Sequence, residues 1–282
     1  MGKNSIRSNL SKNDIIADIK LTLGADIERK KCIVVVEGQD DICFFNGKLE
    51  DETELQESYS GKKGVEEIID FFKDKRVLGV CDSDYDTHDI KRNVVFYDNS
   101  CLEMMMVEND DVFSAVFYAY FEEKGNPIAM KLHIFESLKW ISIFRRLNSQ
   151  YGWGVKLRGI SLSKAYDGQK RELVLEKIRE EIKKENPGML ENIDMYFEQV
   201  LNECQTKYNM DEYLRITQGH DFLNFFQAVC KSCQKRSKRI SSSDEIFRSL
   251  VCAYSKENLK KTKLAQSLIS YQEENGLKII SA

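Results

Sequence analysis

The chain has 282 residues, 42% hydrophobic and 31% charged with only 2 prolines, a composition that excludes a disordered or low-complexity protein. Its net charge of −4 provides no overall basic field, so any nucleic-acid partner has to be met by a local groove. No run approaches the roughly 20 apolar residues of a membrane span. Met1 to Lys12 is polar with no apolar signal core, and Ile6 breaks the myristoylation pattern that Gly2 would open, so a cytoplasmic protein without a membrane partner is expected.

In chain order, Asn13 to Ala25 reads as a helix and Cys32–Val36 as a buried strand. Asp40 to Leu49 fits a helix and Leu55–Tyr59 a short strand. Gly61 and Gly64 break the chain before an amphipathic helix, Val65–Phe72, with Val65, Ile68, Ile69 and Phe72 on one face. Arg76–Cys81 and Asn93–Tyr97 are further strands, and Asp98, Asn99 and Ser100 offer N-caps to a helix carrying Leu102 to Met106. Beyond that point the pattern is helical: Asp111–Glu122, Ile128–Arg146, Arg171–Glu185 and Met189–Tyr208, with a break at Pro187-Gly188. Tyr213–Thr217 suits one more strand. Gly219-His220-Asp221 opens a helix over Phe222–Cys233, and helices near Asp244–Tyr254 and Leu259–Glu274 follow. The fold class is therefore α/β, a mostly parallel sheet flanked by helices (1–110) with a largely α-helical C-terminal region packed on it (111–282).

The chain has 8 cysteines. Cys32 and Cys81 lie in strands that read as buried, and reduced core thiols are expected rather than disulfides. Cys230 and Cys233 form a lone C-x-x-C without a second pair at zinc-finger spacing.

Two acidic signatures each close an apolar run: Cys32 to Val36 followed by Glu37-Gly38-Gln39-Asp40-Asp41, and Val77 to Cys81 followed by Asp82-Ser83-Asp84-Tyr85-Asp86. Asp82 and Asp84 are two residues apart and project to one face on extended backbone. Carboxylates converging at strand ends are hard oxygen ligands of the kind Mg²⁺ takes, and a metal held so suits phosphate chemistry. The same residues also suit a second role, Glu37, Asp40 and Asp41 as helix caps and Asp82, Ser83 and Asp84 as a polar loop.

In order and placement, Glu37-Gly38 and Asp82-x-Asp84 resemble the TOPRIM family over residues 30 to 110, where a Glu follows the first strand and an Asp-x-Asp a later one. Asn99-Ser100-Cys101-Leu102-Glu103 and Gly219-His220-Asp221 look like elements of small standalone, OLD-like TOPRIM proteins, a group that includes the nuclease effector of the PARIS anti-phage system. The resemblance implies a TOPRIM-like core and a Mg²⁺-dependent endonuclease, Mn²⁺ being able to substitute. On it Glu37, Asp82 and Asp84 would be catalytic and would hold the metal with Glu103. Gly38, Asp41, Asp86 and His220 would support the site or contact phosphate, and a glycine at 38 suits a turn close to phosphate. The substrate would be RNA or DNA, with tRNA first on resemblance alone, and the protein a toxic effector in anti-phage defence. No Gly-x-x-x-x-Gly-Lys-Ser/Thr occurs, so an ATPase sensor would be a separate partner. A homodimer is also expected. The alternative is a non-catalytic TOPRIM-like regulatory or nucleic-acid-binding module.

Lys231, Lys235, Arg236, Lys238 and Arg239 crowd one stretch. They suit either the negative end of a helix dipole or a patch that tracks phosphates. Arg145, Arg146, Lys156, Arg158, Lys164, Lys170 and Arg171 would extend such a groove. Tyr151 and Trp153, flanked by Gly152 and Gly154, either stack on a base or pack under a loop. His88 adjoins the acidic loop, and His133 reads as structural. Met104 to Met106 and the Phe113, Phe117, Tyr118, Phe121 stripe read as core, as do Phe222, Phe225, Phe226 and Val229.

Overall fold

The computed structural model of the chain describes residues 11–85, 93–233 and 242–281. These divide into two units. Unit 1 holds the described residues through Ser83, then 93–98 and those from Tyr254 onward; unit 2 holds Asp84, Tyr85 and Asn99–Ala253.

Unit 1 begins with helix α1 (Lys12–Ala25), started by a capping box in which the Ser11 hydroxyl accepts from the Asp14 N–H and the Asp14 carboxylate from the Ser11 N–H. Strand β1 (Cys32–Val36), helix α2 (Gln39–Phe45), strand β2 (Thr53–Glu57), helix α3 (Gly61–Phe71) and strands β3 (Val77–Cys81) and β4 (Val94–Phe96) follow. The strands form one sheet in the order β2-β1-β3-β4, with all three pairings parallel. Every residue of β1 and β3 is buried, which is why these central strands read as continuous apolar runs rather than alternating ones. The edge strand β2 is Thr-Glu-Leu-Gln-Glu, a polar sequence that discourages edge-to-edge pairing. On one face Ile33 and Val35 pack with Ile15 and Ile19 of α1 and Val65 and Ile68 of α3. Helix α3 lies so close that a Cβ on Gly79 would stand 2.6 Å from Val65 Cγ1. Helix α2 stops at Phe45, short of the expected Leu49, because Gly47 turns left-handed (φ 74°) and the Lys48 ammonium donates to the Phe44 carbonyl. Gly61 and Gly64 lie inside the first turn of α3 instead of breaking the chain ahead of it.

Unit 2 is helical: α4 (Leu102–Glu108), α5 (Asp110–Tyr120), α6 (Pro127–Tyr151) and α7 (Leu162–Ala165), the hairpin strands β5 (Tyr166–Asp167) and β6 (Glu172–Leu173), then α8 (Leu175–Glu185), α9 (Leu190–Glu203), α10 (Met210–Ile216), α11 (Gly219–Cys233) and α12 (Ser243–Ala253). The central α6 is bounded as its sequence dictates: the Asn126 side chain caps it, Pro127 occupies the first turn, and Gly152 ends it in the left-handed region. The core of unit 2 is aromatic: the Phe222 ring meets those of Phe113 and Phe135, and Phe113 also meets Phe226. The buried Lys131 ammonium caps the end of α4 at the Val107 carbonyl and pairs with Asp110.

Three expectations are corrected here. Tyr213–Thr217 is not a strand, because the Asn209/Glu212 capping box starts helix α10 just upstream. The helix expected from Arg171 begins at Leu175, because Asp167 accepts from the N–H groups of Gln169 and Lys170 and closes the β5–β6 turn. Asp98, Asn99 and Ser100 do not cap α4. Its N-cap is Cys101, and the Ser100 hydroxyl instead donates to the carbonyls of Leu214 and Thr217 at the end of α10.

The C-terminal stretch returns to unit 1 as two helices, α13 (Lys256–Lys260) and α14 (Lys263–Asn275), rather than the single one expected. Thr262 separates them, its hydroxyl donating to the Leu259 carbonyl and accepting from the Ala265 N–H. Asp98 accepts from the first N–H groups of α14, and the Glu50 N–H donates to the Ile279 carbonyl. No helix among the described residues is long and apolar enough to cross a membrane.

Candidate functional site

Because every pairing is parallel, the carboxyl ends of all four strands share one edge of the sheet. Strand β1 leads outward to β2, and α3 then carries the chain back across to β3 on the other side of β1. The strand order thus reverses between β1 and β3, the position where open parallel sheets bind ligands. Glu37 and Asp82 are the residues that immediately follow these two strands. Glu37 Oε1 accepts from the Asp82 N–H at 2.8 Å, so the first carboxylate bridges both strand ends. Asp41, in the first turn of α2, is buried. Its Oδ2 accepts from the Gly38 N–H at 2.8 Å and its Oδ1 from the Tyr97 hydroxyl at 2.6 Å. Gly38 is extended (φ −160°), and a Cβ there would meet Asp41 Oδ2 at 3.9 Å, an ordinary contact.

The field at this edge is negative. Burial raises the Cys81 thiol pKa above its ordinary value, and the charges of Glu37, Asp82 and Asp41 push it the same way against that of Lys62. Tyr97 is raised well above the usual phenol range by burial, then by Asp41, Asp82 and Glu37. Clustered negative potential of this kind favours a cation.

Unit 2 holds a second frame. Asp84 takes up a left-handed backbone (φ 53°) that Asp tolerates better than most residues, and its N–H donates to the Ser100 carbonyl at 2.9 Å. Ser100 in turn is anchored to the end of α10, as described above. Glu103, in the first turn of α4, is 7% exposed and packs on Gly219 at the start of α11. A Cβ on Gly219 would stand 2.7 Å from Glu103 Cβ, so only glycine lets the two helix starts approach this closely. His220 is exposed, with Nδ1 3.5 Å from Glu103 Oε1. The next residue, Asp221, is buried and held by Arg145 of α6 through two bonds, Nε to Oδ2 at 2.7 Å and a terminal nitrogen to Oδ1 at 3.1 Å. The spacing Gly219-His220-Asp221 marks the helix start, but nothing in the sequence signals the Arg145 partner. The Tyr97–Asp41 bond is equally unannounced.

Of the site residues expected from sequence, Glu37, Gly38, Asp41 and Asp82 are gathered in unit 1, and Asp84, Glu103 and His220 belong to unit 2. Asp86, His88, Lys235, Arg236, Lys238 and Arg239 lie outside the described residues; Lys231 is exposed in the last turn of α11. Several of the expected groove cations are engaged: Arg145 with Asp221, Arg146 with Glu203, Lys164 with Glu181 and Arg171 with Glu123. His133 Nε2 lies 2.8 Å from the Arg171 carbonyl, a structural contact. Among the described residues no three His, Cys, Asp or Glu side chains form a group able to hold a metal ion. The donor chemistry at the strand ends is nonetheless that of a hard divalent cation, carboxylate oxygen without thiolate or imidazole. No family model matches the chain, and no curated protein matches it.

Proposed function

We propose that the chain is a metal-dependent, TOPRIM-like nuclease that hydrolyses phosphodiester bonds in RNA or DNA. The observation that carries this reading is the placement of Glu37 and Asp82 on the ends of the two strands that flank the sheet's reversal point, joined by the Glu37–Asp82 hydrogen bond. Glu37 and Asp82 would hold Mg²⁺ or Mn²⁺, and the resemblance to the TOPRIM family adds Asp84 and Glu103 to the ligands. A bound divalent ion supplies polarisation of a phosphoryl oxygen and offsets charge in the transition state. Glu37 orients the Asp82 backbone and is the candidate general base. Asp41, fixed by Gly38 and Tyr97, adds negative potential from a position that cannot swing away. His220 is exposed on a glycine-led helix start, where an imidazole can meet a phosphate. The resemblance to standalone TOPRIM effectors ranks tRNA first among substrates and makes a toxic role in anti-phage defence, under a separate ATPase partner, part of the proposal.

One observation favours a second reading, a non-catalytic regulatory or nucleic-acid-binding module: Glu37 and Asp41 both accept from backbone N–H groups, as structural carboxylates do. The two part in a cleavage assay of the purified chain on total tRNA, single-stranded DNA and plasmid with Mg²⁺, Mn²⁺ or EDTA. The nuclease reading expects metal-dependent cutting that Glu37→Ala and Asp82→Ala both abolish while the fold is retained. Cutting that persists in both variants, or that survives EDTA, overturns it.

A further inference from the structure

The segment 151–158 of unit 2 has no regular secondary structure beyond Tyr151, yet it is held as firmly as a strand. The Asn148 side-chain amide pairs with both backbone groups of Val155, at 2.9 and 3.0 Å. The buried Asn186 amide does the same for Lys156, at 2.8 and 3.0 Å, and Arg145 donates to the Leu157 carbonyl. Two side-chain amides thus imitate a neighbouring strand. Val155 and Leu157 are turned inward and buried, while Tyr151, Lys156 and Arg158 face outward. The left-handed Gly152 and Gly154 bracket Trp153. Its ring stacks on Tyr196 (centroids 4.4 Å apart, planes 10° apart), and Tyr151 stacks on Trp153 (6.0 Å, 21°). Tyr151 is 62% exposed, so the stack presents an aromatic ring to solvent from a rigid base. Neither Lys156 nor Arg158 has a carboxylate partner among the described residues, unlike Arg145, Arg146, Lys164 and Arg171. The same strap, through Val155 and Leu157, lines a cavity of about 320 Å³ whose other walls include Asp84, Tyr85 and Arg145.

We propose that this strap seats single-stranded nucleic acid, with a nucleobase on Tyr151, phosphates on Lys156 and Arg158, and the strand running along the cavity towards Asp84. The proposal rests on the reading that the chain acts on phosphodiesters, and it narrows the substrate to unpaired segments, since a duplex hides its base faces. The setting of the exposed ring supports nucleic acid over a protein partner, because its outward neighbours on the strap are Gly152, Gly154, Lys156 and Arg158, a charged and not an apolar surround.

The test is fluorescence anisotropy of the full-length Glu37→Ala chain in EDTA with fluorescein-labelled, unstructured single-stranded RNA and DNA, and with the matching duplex. Binding is then read without metal and without cleavage. The single strand is expected to bind more tightly than the duplex. Tyr151→Ala should weaken it by about 5- to 150-fold, and Tyr151→Phe should retain it. Replacing Lys156 and Arg158 together by Gln should reduce the slope of log affinity against log salt by about 1.4, two phosphate contacts' worth on a single strand. Unchanged affinity in Tyr151→Ala, equal affinity for the duplex, or no binding of single strands overturns the platform. None of these results bears on whether Glu37 and Asp82 support cleavage, and a wild type that does not cut leaves the binding result standing.

Discussion

Glu37 and Glu103 are two carboxylates of one chain, the first half-buried and the second buried, reached by opposite constructions. Glu37 is delivered by topology: β1 ends, the sheet reverses, and the residue after the strand lies at the carboxyl edge of the sheet with the Asp82 N–H as its partner. Around it there is slack, since Gly38 has room for a side chain. Glu103 is delivered by packing: α4 and α11 begin against each other, and the carboxylate occupies the space that a missing Cβ at Gly219 leaves. An acid placed by topology tolerates changes around it, whereas an acid placed by packing depends on every neighbour keeping its volume.

The largest effect that would sharpen this contrast lies in the packed frame. Arg145→Ala leaves the buried Asp221 carboxylate without its partner and should cost about 3–5 kcal/mol of stability, read as a lowered urea midpoint. A loss below about 1 kcal/mol would mean that the helix start does not depend on the pair. Next comes a matched pair of glycine substitutions. Gly219→Ala forces a methyl into Glu103 and should cost up to about 3 kcal/mol, whereas Gly38→Ala should change stability by less than about 0.5 kcal/mol. Equal costs at the two sites would break the comparison. Within unit 1, Tyr97→Phe removes the hydroxyl that donates to buried Asp41 and should cost about 1.5–3 kcal/mol, measured in the same denaturation experiment.

The smallest effect is pH-dependent and shared by both units. Arg76 holds the Asp74 carboxyl below its usual range through a side-chain hydrogen bond, and Arg146 does the same for Glu203. Both folded-state values are depressed. Their contributions are therefore fully present above the unfolded values, about 3.9 for Asp and 4.3 for Glu, and are lost as pH falls through the lower folded values. Melting temperature should decline below about pH 4, less steeply in Arg76→Gln; an identical acid limb in that variant would show that Asp74 contributes nothing.

What was legible in the sequence follows the same division. Strands β1 and β3 and the carboxylates after them could be read because central parallel strands are continuous apolar runs that end abruptly. The start of α11 was legible from Gly219-His220-Asp221. Tyr213–Thr217 is rich in residues that suit a strand, and the Asn209/Glu212 box that makes it a helix starts just upstream of it. The Tyr97–Asp41 and Arg145–Asp221 pairs span 56 and 76 residues and carry no local periodicity. The division into units was hidden for a related reason: the contacts that return 254–282 to the sheet, such as Asp98 on the N-terminus of α14, link residues more than a hundred positions apart.

That return has a consequence for how the molecule is made. Apart from Asp84 and Tyr85, unit 2 is one unbroken stretch, Asn99–Ala253, and is translated before the last helices of unit 1. At roughly 5–20 residues per second, the final stretch takes on the order of a few seconds. During that interval Asp98 still lacks the α14 N–H groups it caps and Glu50 still lacks the Ile279 carbonyl. The contacts of α14 and Ile279 with the rest of unit 1 can therefore form only after all of unit 2 has been translated.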